Sequence, residues 1–140
     1  MSFFDQLGAL FAKYDVLGAF WVNIQLTFWA AIGSFVLGAI LALMRISPVP
    51  SLRWAGTIYV HLFRNTPLTI LMTLALLGVW TQFQLSFSTD FETNFFVYAV
   101  IVLSIYHASF VCEAIRSGVN TVPTGQAEAA RAIGLGFMDT

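Results

Sequence analysis

Charged residues are scarce in this 140-residue chain, since Asp, Glu, Lys and Arg make up 9% of it and hydrophobic residues 59%. A typical soluble domain has about a quarter of its residues charged. The chain therefore has too little polar surface to cover a soluble globule of its size. This excludes the ordinary soluble classes and predicts a protein of the lipid bilayer. The net charge of −1 indicates nothing about a partner.

Residues with catalytic or ligand chemistry are also scarce. The single cysteine, Cys112, cannot form an internal disulfide. Lys13 is the only lysine and lies in no G-x-x-x-x-G-K-[ST] loop, and no G-x-S-x-G motif is present. His61 and His107 have no cysteine or carboxylate at metal-ligand spacing. We expect no catalytic residue, metal, cofactor or nucleic-acid partner, so any energy source must lie in another subunit.

Long apolar runs occupy most of the chain. A transmembrane helix needs about 20 apolar residues, and three stretches without charge are long enough. They predict spans at about 20–44, 66–87 and 93–113, and hence an all-α integral membrane protein with a single domain over 1–140. The first thirteen residues lack the basic region of a cleavable signal peptide, so the first span must direct the chain to the membrane.

The arginines indicate how the spans are oriented. All five lie either around the connection between the first two spans or after the third, whereas the connection between the second and third spans is acidic. Because Lys and Arg are enriched in cytoplasmic loops, we expect the N-terminus outside and the C-terminal segment in the cytosol. These arginines are Arg45, Arg53, Arg64, Arg116 and Arg131.

The segment 1–15 has two interpretations. Its large apolar residues fall near one helical face, which suggests a helix at the outer membrane interface. The alternative is a frayed start to the first span. The residues of this face are Phe3, Leu7, Leu10, Phe11 and Tyr14.

Small residues recur at every fourth position of the first span, at Ala30, Ser34, Gly38 and Ala42. Such spacing keeps one helix face thin, so that another backbone can approach closely. We call these four residues the seam and expect it to contact a partner or the second span. The alternative is the general abundance of alanine and glycine in membrane helices.

The second span opens with "FRNTPL". Proline kinks or starts a helix, and Asn65 or Thr66 could cap the donors exposed near Pro67. Arg64 either extends to the cytosolic headgroups or, with Asn65 and Pro67, forms a polar mouth to a transport path. The first interpretation is favoured, because these residues lie at an interface.

The third span carries His107, and ionisable residues inside spans usually face the bundle or a watery cavity. We expect a neutral histidine hydrogen-bonded to a neighbouring helix. Just past the span, Glu113 and Arg116 are three residues apart and can form a structural ion pair.

The segment 122–136 contains "TGQAEAARAIGLG", in which four alanines favour a short helix and two glycines end it. A helix of about three turns or fewer is not stable alone in water. Its small face suits a groove in a partner, with Glu128 and Arg131 making polar contacts at the rim.

"EAARAIG" resembles the E-A-A-x-x-x-G cytosolic loop of permease subunits from ATP-binding-cassette (ABC) importers. "GVNTVPTGQAEAARAIGLGF", "LFRNTPLTILM" and "QLTFWAAIGSFVLGAILALMRIS" are similar to the polar amino acid permeases, which serve histidine, glutamate, glutamine, arginine and opines. Glutamate-importer permeases of actinobacteria resemble this chain in particular.

The resemblance implies a type I ABC importer permease fold in the bacterial inner membrane, with no enzymatic activity of its own. It implies a second permease subunit, an extracytoplasmic amino acid-binding protein and a cytosolic ATPase dimer, besides the surrounding lipid. It also implies that the short helix couples to the ATPase. The coupling residues carried over are Gln126, Glu128, Ala129, Ala130, Arg131 and Gly134.

In that family an I-x-L-P element and two further spans follow the loop, whereas this sequence stops at Thr140. It is therefore expected to be a fragment or a shortened gene product. The principal expectation is a permease subunit for an amino acid, with glutamate as the substrate suggested by the resemblance. The alternative is a non-transporting membrane remnant that binds the ATPase or another permease.

Overall fold

The computed structural model describes residues 3–136, and this part of the chain forms helices without any strand. Six α-helices and one π-helical segment follow one another. Their bounds are Phe3–Lys13 (α1), Val16–Ile46 (α2), Pro50–Asn65 (α3), Leu68–Thr73 (α4), Leu74–Gln82 (π-helical), Phe91–Asn120 (α5) and Thr124–Ala132 (α6).

The two longest helices, α2 and α5, pack against each other along most of their length and form the centre of the molecule. They have 31 and 30 residues. At about 1.5 Å per residue, each exceeds the roughly 30 Å of a hydrocarbon core. Both are also apolar enough to cross a membrane, which agrees with the first and third predicted spans.

The second predicted span is less simple. Helix α4 and the π-helical segment form one continuous run, Leu68–Gln82, which is bent by 98° relative to α3 at a short break. Helix α3 and this run are long and apolar enough to cross a membrane only when they are taken together as one span. The predicted spans at 20–44 and 66–87 left residues 50–65 between them, with no helix predicted there. They form an amphipathic helix that buries Gly56 and Val60 against the other helices.

The break lies at Thr66 and Pro67, as the proline predicted. Proline lacks the amide hydrogen that would continue the helix, and Pro67 becomes the N-cap of α4. The predicted capping by Asn65 or Thr66 is wrong, because no side chain caps α4. The Thr66 hydroxyl donates instead to the Leu62 carbonyl of the preceding helix, at 2.8 Å.

A well-bonded turn connects the π-helical segment to α5. The Asn94 side chain is buried, accepts from the amides of Phe87 and Ser88, and donates to the Ser88 carbonyl. Asp90 caps α5 by accepting from the hydroxyl and amide of Thr93, and these bonds lower the pKa of the Asp90 carboxyl. The turn is therefore held in one conformation by the first residues of α5.

Helix α1 is separate from α2, because Asp15 caps α2 by accepting from the Gly18 amide at 2.9 Å. Leu10, Phe11 and Tyr14 are exposed. The side chains of Phe3 and Leu7, which belong to the same predicted face, lie outside the described residues. A location at the outer membrane interface stays a prediction.

Candidate functional site

The seam forms, but its partner differs from the expected one. Ala30, Ser34, Gly38 and Ala42 are all buried. Gly38 lies against Val111 and Ala108 of α5, which is the third predicted span, and Ala30 and Ser34 line a groove with residues of the same helix. Ala42 packs in a cluster with Ala108 of α5 and Val60 of α3. The sequence could not distinguish these neighbours, since the spacing of small residues indicates a close contact without specifying which helix makes it.

Gly38 is a close-contact position of the seam. A Cβ atom on Gly38 would lie 2.6 Å from Val111 Cβ and 2.9 Å from the Ala108 carbonyl oxygen. Real Cβ atoms do not approach other atoms so closely. The backbones of α2 and α5 can therefore be this close only with glycine at position 38.

The inner ends of α2 and α5 are joined by an ion pair between Arg45 and Glu113. Arg45 Nη1 donates to Glu113 Oε1 at 2.5 Å, although 68 residues separate the two side chains. The Arg45 side chain is 10% exposed. Because Arg45 is largely shielded from water, the attraction between the two charges is stronger than it would be at the surface.

Two further arginines surround the same carboxylate. Arg116 donates through Nε and Nη2 to Glu113 Oε2, at 3.2 and 3.1 Å, as the sequence predicted. Arg64 Nη1, from the end of α3, lies 3.8 Å from Glu113 Oε1, which is ion-pair but not hydrogen-bond distance. Three guanidinium groups therefore share one carboxylate, and the group carries a net charge of about +2 at neutral pH. We call Arg45, Arg64, Glu113 and Arg116 the arginine cluster.

Helix α3 is positioned by two aromatic contacts. The Tyr59 hydroxyl donates to the Ile105 carbonyl of α5 at 2.7 Å. The Arg64 guanidinium lies over the Phe110 ring, 5.4 Å from its centre, a favourable arrangement of a cation and an aromatic face. Arg64 therefore contacts the bundle instead of simply extending away from it. Its neighbours Asn65 and Pro67 are exposed.

His107 does not hydrogen-bond to a neighbouring helix, which corrects the expectation from the sequence. Its Nδ1 pairs with the Leu103 carbonyl of its own helix at 2.9 Å, and the ring is exposed. The ring lines a groove of about 390 Å³ between α2 and α5, which also includes Ala30 and Ser34 of the seam. A helical residue bonds readily to the carbonyl four positions earlier, so this orientation needs no second helix.

Helix α6 has nine residues and is exposed over most of its surface. It packs extensively against none of the other described helices. Glu128, Ala129 and Arg131 are exposed, while Ala130 is partly covered. A short helix that a partner contacts would have to remain accessible in this way, and its length agrees with the prediction.

The end of α6 explains the glycine in its motif. Gly134 has φ +88°, a left-handed conformation that side chains disfavour. The Gly134 amide donates to the Arg131 carbonyl and the Leu135 amide to the Ala130 carbonyl. This pair of bonds is the Schellman motif, which satisfies carbonyls left open at a helix end. The predicted stop at Gly134 is confirmed.

The arginine cluster was only partly found from the sequence. The pairing of Glu113 with Arg116 follows from their spacing on one helix, whereas Arg45 and Arg64 lie far away along the chain. The one available signal is that each ends a helix, and ends of neighbouring spans meet at the same membrane surface. Among the described residues, no group of histidines, cysteines and carboxylates could hold a metal ion.

Residues 11–140 match the family model described as "Binding-protein-dependent transport system inner membrane component". The chain belongs to this family. Its long apolar helices agree with an integral protein of the inner membrane.

Permeases for amino acids are among the relatives. The chain is 48% identical over 130 residues to the "Glutamate transport system permease protein GluC" of Corynebacterium efficiens, covering 89% of the chain and 57% of that protein. It is 34% identical to the "Glutamate/aspartate import permease protein GltJ" of Escherichia coli K12, covering 91% of the chain and 56% of that protein. The chain thus spans little more than half the length of these relatives.

A solved structure has a similar fold. It is titled "Crystal structure of an amino acid ABC transporter with histidines" and matches with a TM-score of 0.67 at 30% sequence identity. The match covers 81% of this chain and 50% of the other. The similarity agrees with the all-α permease fold that the motifs implied.

Proposed function

We propose that this protein is a permease subunit of an ATP-driven amino acid importer, in which α6 couples the membrane helices to a cytosolic ATPase dimer. The observation that carries the proposal is an exposed nine-residue helix with the E-A-A-x-x-x-G residues, ended by Gly134 at positive φ. A helix this short is unstable alone in water. Contact with a partner would stabilise it.

Small side chains make α6 suitable for a narrow cleft. Ala129 and Ala130 add little bulk, and Glu128, Arg131 and Gln126 provide polar groups around them. The expected partner is the ATPase, because the described residues contain no nucleotide-binding motif that could supply the energy. A second permease subunit and an extracytoplasmic binding protein complete the proposed importer.

The proposed substrate is glutamate, which is supported by the names of the relatives at 48% and 34% identity. The proposed path runs beside the groove that His107 lines, with Arg64, Asn65 and Pro67 near its inner end. The arginine distribution supports an outer N-terminus and a cytosolic α6. Uptake of labelled arginine, but not of labelled glutamate, by cells that produce the complete importer would contradict this choice of substrate.

The coupling role is tested by how much ATPase co-purifies with the tagged chain from membranes in which both are produced. Ala130→Arg should release most of the ATPase, because a long charged side chain cannot enter a cleft shaped for a methyl group. Ala132→Arg is the matched control. It lies two positions further, about 200° around the helix from Ala130, and is no motif residue.

The two variants distinguish docking from a general effect of charge on α6. Retention of the ATPase by Ala132→Arg and its loss by Ala130→Arg would support the proposal. Full recovery of the ATPase with Ala130→Arg would mean that α6 does not dock through the face that carries Ala130. Equal loss with both variants would mean that docking does not distinguish this face from the one that carries Ala132.

A further inference from the structure

We propose that the arginine cluster, together with the adjacent surface of α3, binds the phosphate headgroup and one acyl chain of an anionic phospholipid. The cluster has three guanidinium groups and one carboxylate. Among the described residues, Glu113 is the only carboxylate within ion-pair distance of these arginines. Within residues 3–136, the positive charge of the site therefore exceeds the negative charge that pairs with it.

Arg64 is the group best placed to bind an anion. At 3.8 Å from Glu113 Oε1 it is not hydrogen-bonded to the carboxylate, whose oxygens accept from Arg45 and Arg116. Its side chain is 45% exposed, and the Phe110 ring holds it in position. The five N–H donors of an arginine form a fork that suits phosphate oxygens.

A polar cavity lies beside this guanidinium. It has a volume of about 350 Å³ and is lined by the polar side chains of Arg64, His61, Asn65 and Glu113 and by the apolar side chains of Val60 and Phe110. The Asn65 amide supplies further donors. The Glu113 carboxylate is already hydrogen-bonded to Arg45 and Arg116, so the Arg64 guanidinium is left to bind an anion in this cavity.

An apolar groove continues from the polar cavity along α3. The two share His61 and Asn65, and the groove is bounded by Trp54, Ile58 and Leu62. All three of these apolar side chains are exposed. A ligand that fills both parts needs a negative head and a hydrocarbon tail, which favours a phospholipid over a soluble phosphate.

The depth of the cluster fits a headgroup. Glu113 lies about 34 Å along α5 from the cap residue Asp90, at 1.5 Å per residue, and the hydrocarbon core is about 30 Å thick. With Asp90 at one membrane surface, the cluster lies at the other. Basic pockets between helices on the cytoplasmic side are known to bind anionic headgroups.

The probe is phosphatidylglycerol with brominated acyl chains, because bromine quenches tryptophan fluorescence on contact. Trp54 is the reporter, in the full chain with Trp21, Trp29 and Trp80 replaced by phenylalanine, in phosphatidylcholine nanodiscs. Brominated phosphatidylglycerol should quench Trp54 at a several-fold lower fraction of lipid than brominated phosphatidylcholine. Circular dichroism checks that each variant keeps its helix content.

Arg64→Gln should reduce this preference about fivefold, the effect of one basic residue at an anionic surface. Arg64→Lys should keep most of it. The matched control is Arg53→Gln, on the same helix, since Arg53 is exposed and outside the cluster. It should leave the preference unchanged.

Three outcomes would overturn the proposal. Equal quenching by the two brominated lipids would mean that no anionic headgroup is selected. Equal effects of Arg64→Gln and Arg53→Gln would indicate general surface attraction instead of a site. Complete relief of quenching by glycerol 3-phosphate, which has the phosphate without the chains, would assign the cavity to a soluble ligand.

Discussion

Arg45 and Glu113 join the inner ends of the two longest helices through a hydrogen bond of 2.5 Å between Nη1 and Oε1. Glu113 is the residue on which three helices converge, because Arg45 ends α2, Arg64 ends α3 and Glu113 itself belongs to α5. Its removal leaves three positive charges close together with no other carboxylate of residues 3–136 in ion-pair contact with them. Removal of any one arginine leaves the carboxylate paired.

Glu113→Gln should therefore destabilise the fold by about 1.5–3 kcal/mol, the range for losing a hydrogen bond that involves a charged group. The thermal midpoint of helix loss in detergent, followed by circular dichroism, measures this effect. Glu92→Gln serves as the control, because Glu92 is exposed in the first turn of the same helix. A midpoint lowered equally by both substitutions would show that the convergence on Glu113 adds no stability.

The close approach of α2 and α5 leads to the second prediction. Gly38→Ala should lower the free energy of unfolding by about 1–3 kcal/mol, as overpacking in tight cores does, because Val111 and Ala108 occupy the space of the new methyl group. Gly118→Ala is the matched control. It lies within α5 and its added Cβ meets nothing within 4 Å.

The two alanine variants should move stability in opposite directions, since alanine in a helix is favoured over glycine by about 1 kcal/mol where space allows. Denaturant titration in mixed micelles gives both free energies. A gain in stability with Gly38→Ala as large as that with Gly118→Ala would mean that α2 and α5 do not approach closely at the seam.

The sequence correctly predicted the helices whose composition alone determines that they form and cross the membrane. Helices α2 and α5 are long and uncharged through their centres, so burial in lipid requires their backbones to be helical. Helix α3 was missed because its polar and apolar residues lie on different faces of the helix. A search for uncharged runs overlooks such a helix. The π-helical segment depends on a bonding pattern that no residue type specifies.

Some features of the candidate site could be predicted from the sequence and others could not. The seam and the end of α6 follow from local chemistry, through the spacing of small residues and the left-handed glycine at position 134. The partner of the seam and the arginines around Glu113 depend on which helices become neighbours. That choice is made by packing between residues far apart in the chain, and a single sequence contains no direct signal for it.

The third prediction concerns orientation. A cysteine at Thr89 should react with a membrane-impermeant maleimide added to intact cells, and one at Thr124 should react only after the membrane is opened. Both positions are exposed, and Thr89 is preferred to its neighbour Ser88, because the Ser88 backbone is bonded to Asn94. The native thiol of Cys112 is buried and gives little background. The reverse labelling pattern would invert the topology.

The last prediction tests whether the conformation of Gly134 matters for coupling. Gly134→Val should disrupt the end of α6 and reduce ATPase recovery, because a β-branched residue at φ +88° is strained. Gly134→Asn should retain most of the recovery, since asparagine adopts left-handed conformations far more readily. Gly125→Val controls for bulk on the same helix, because Gly125 has open space and no positive φ. Co-purification of the ATPase with each tagged variant gives the ranking. If Gly134→Val and Gly134→Asn reduce ATPase recovery equally, the backbone angle that ends the helix is not what the ATPase requires. The ATPase would then require that position 134 has no side chain.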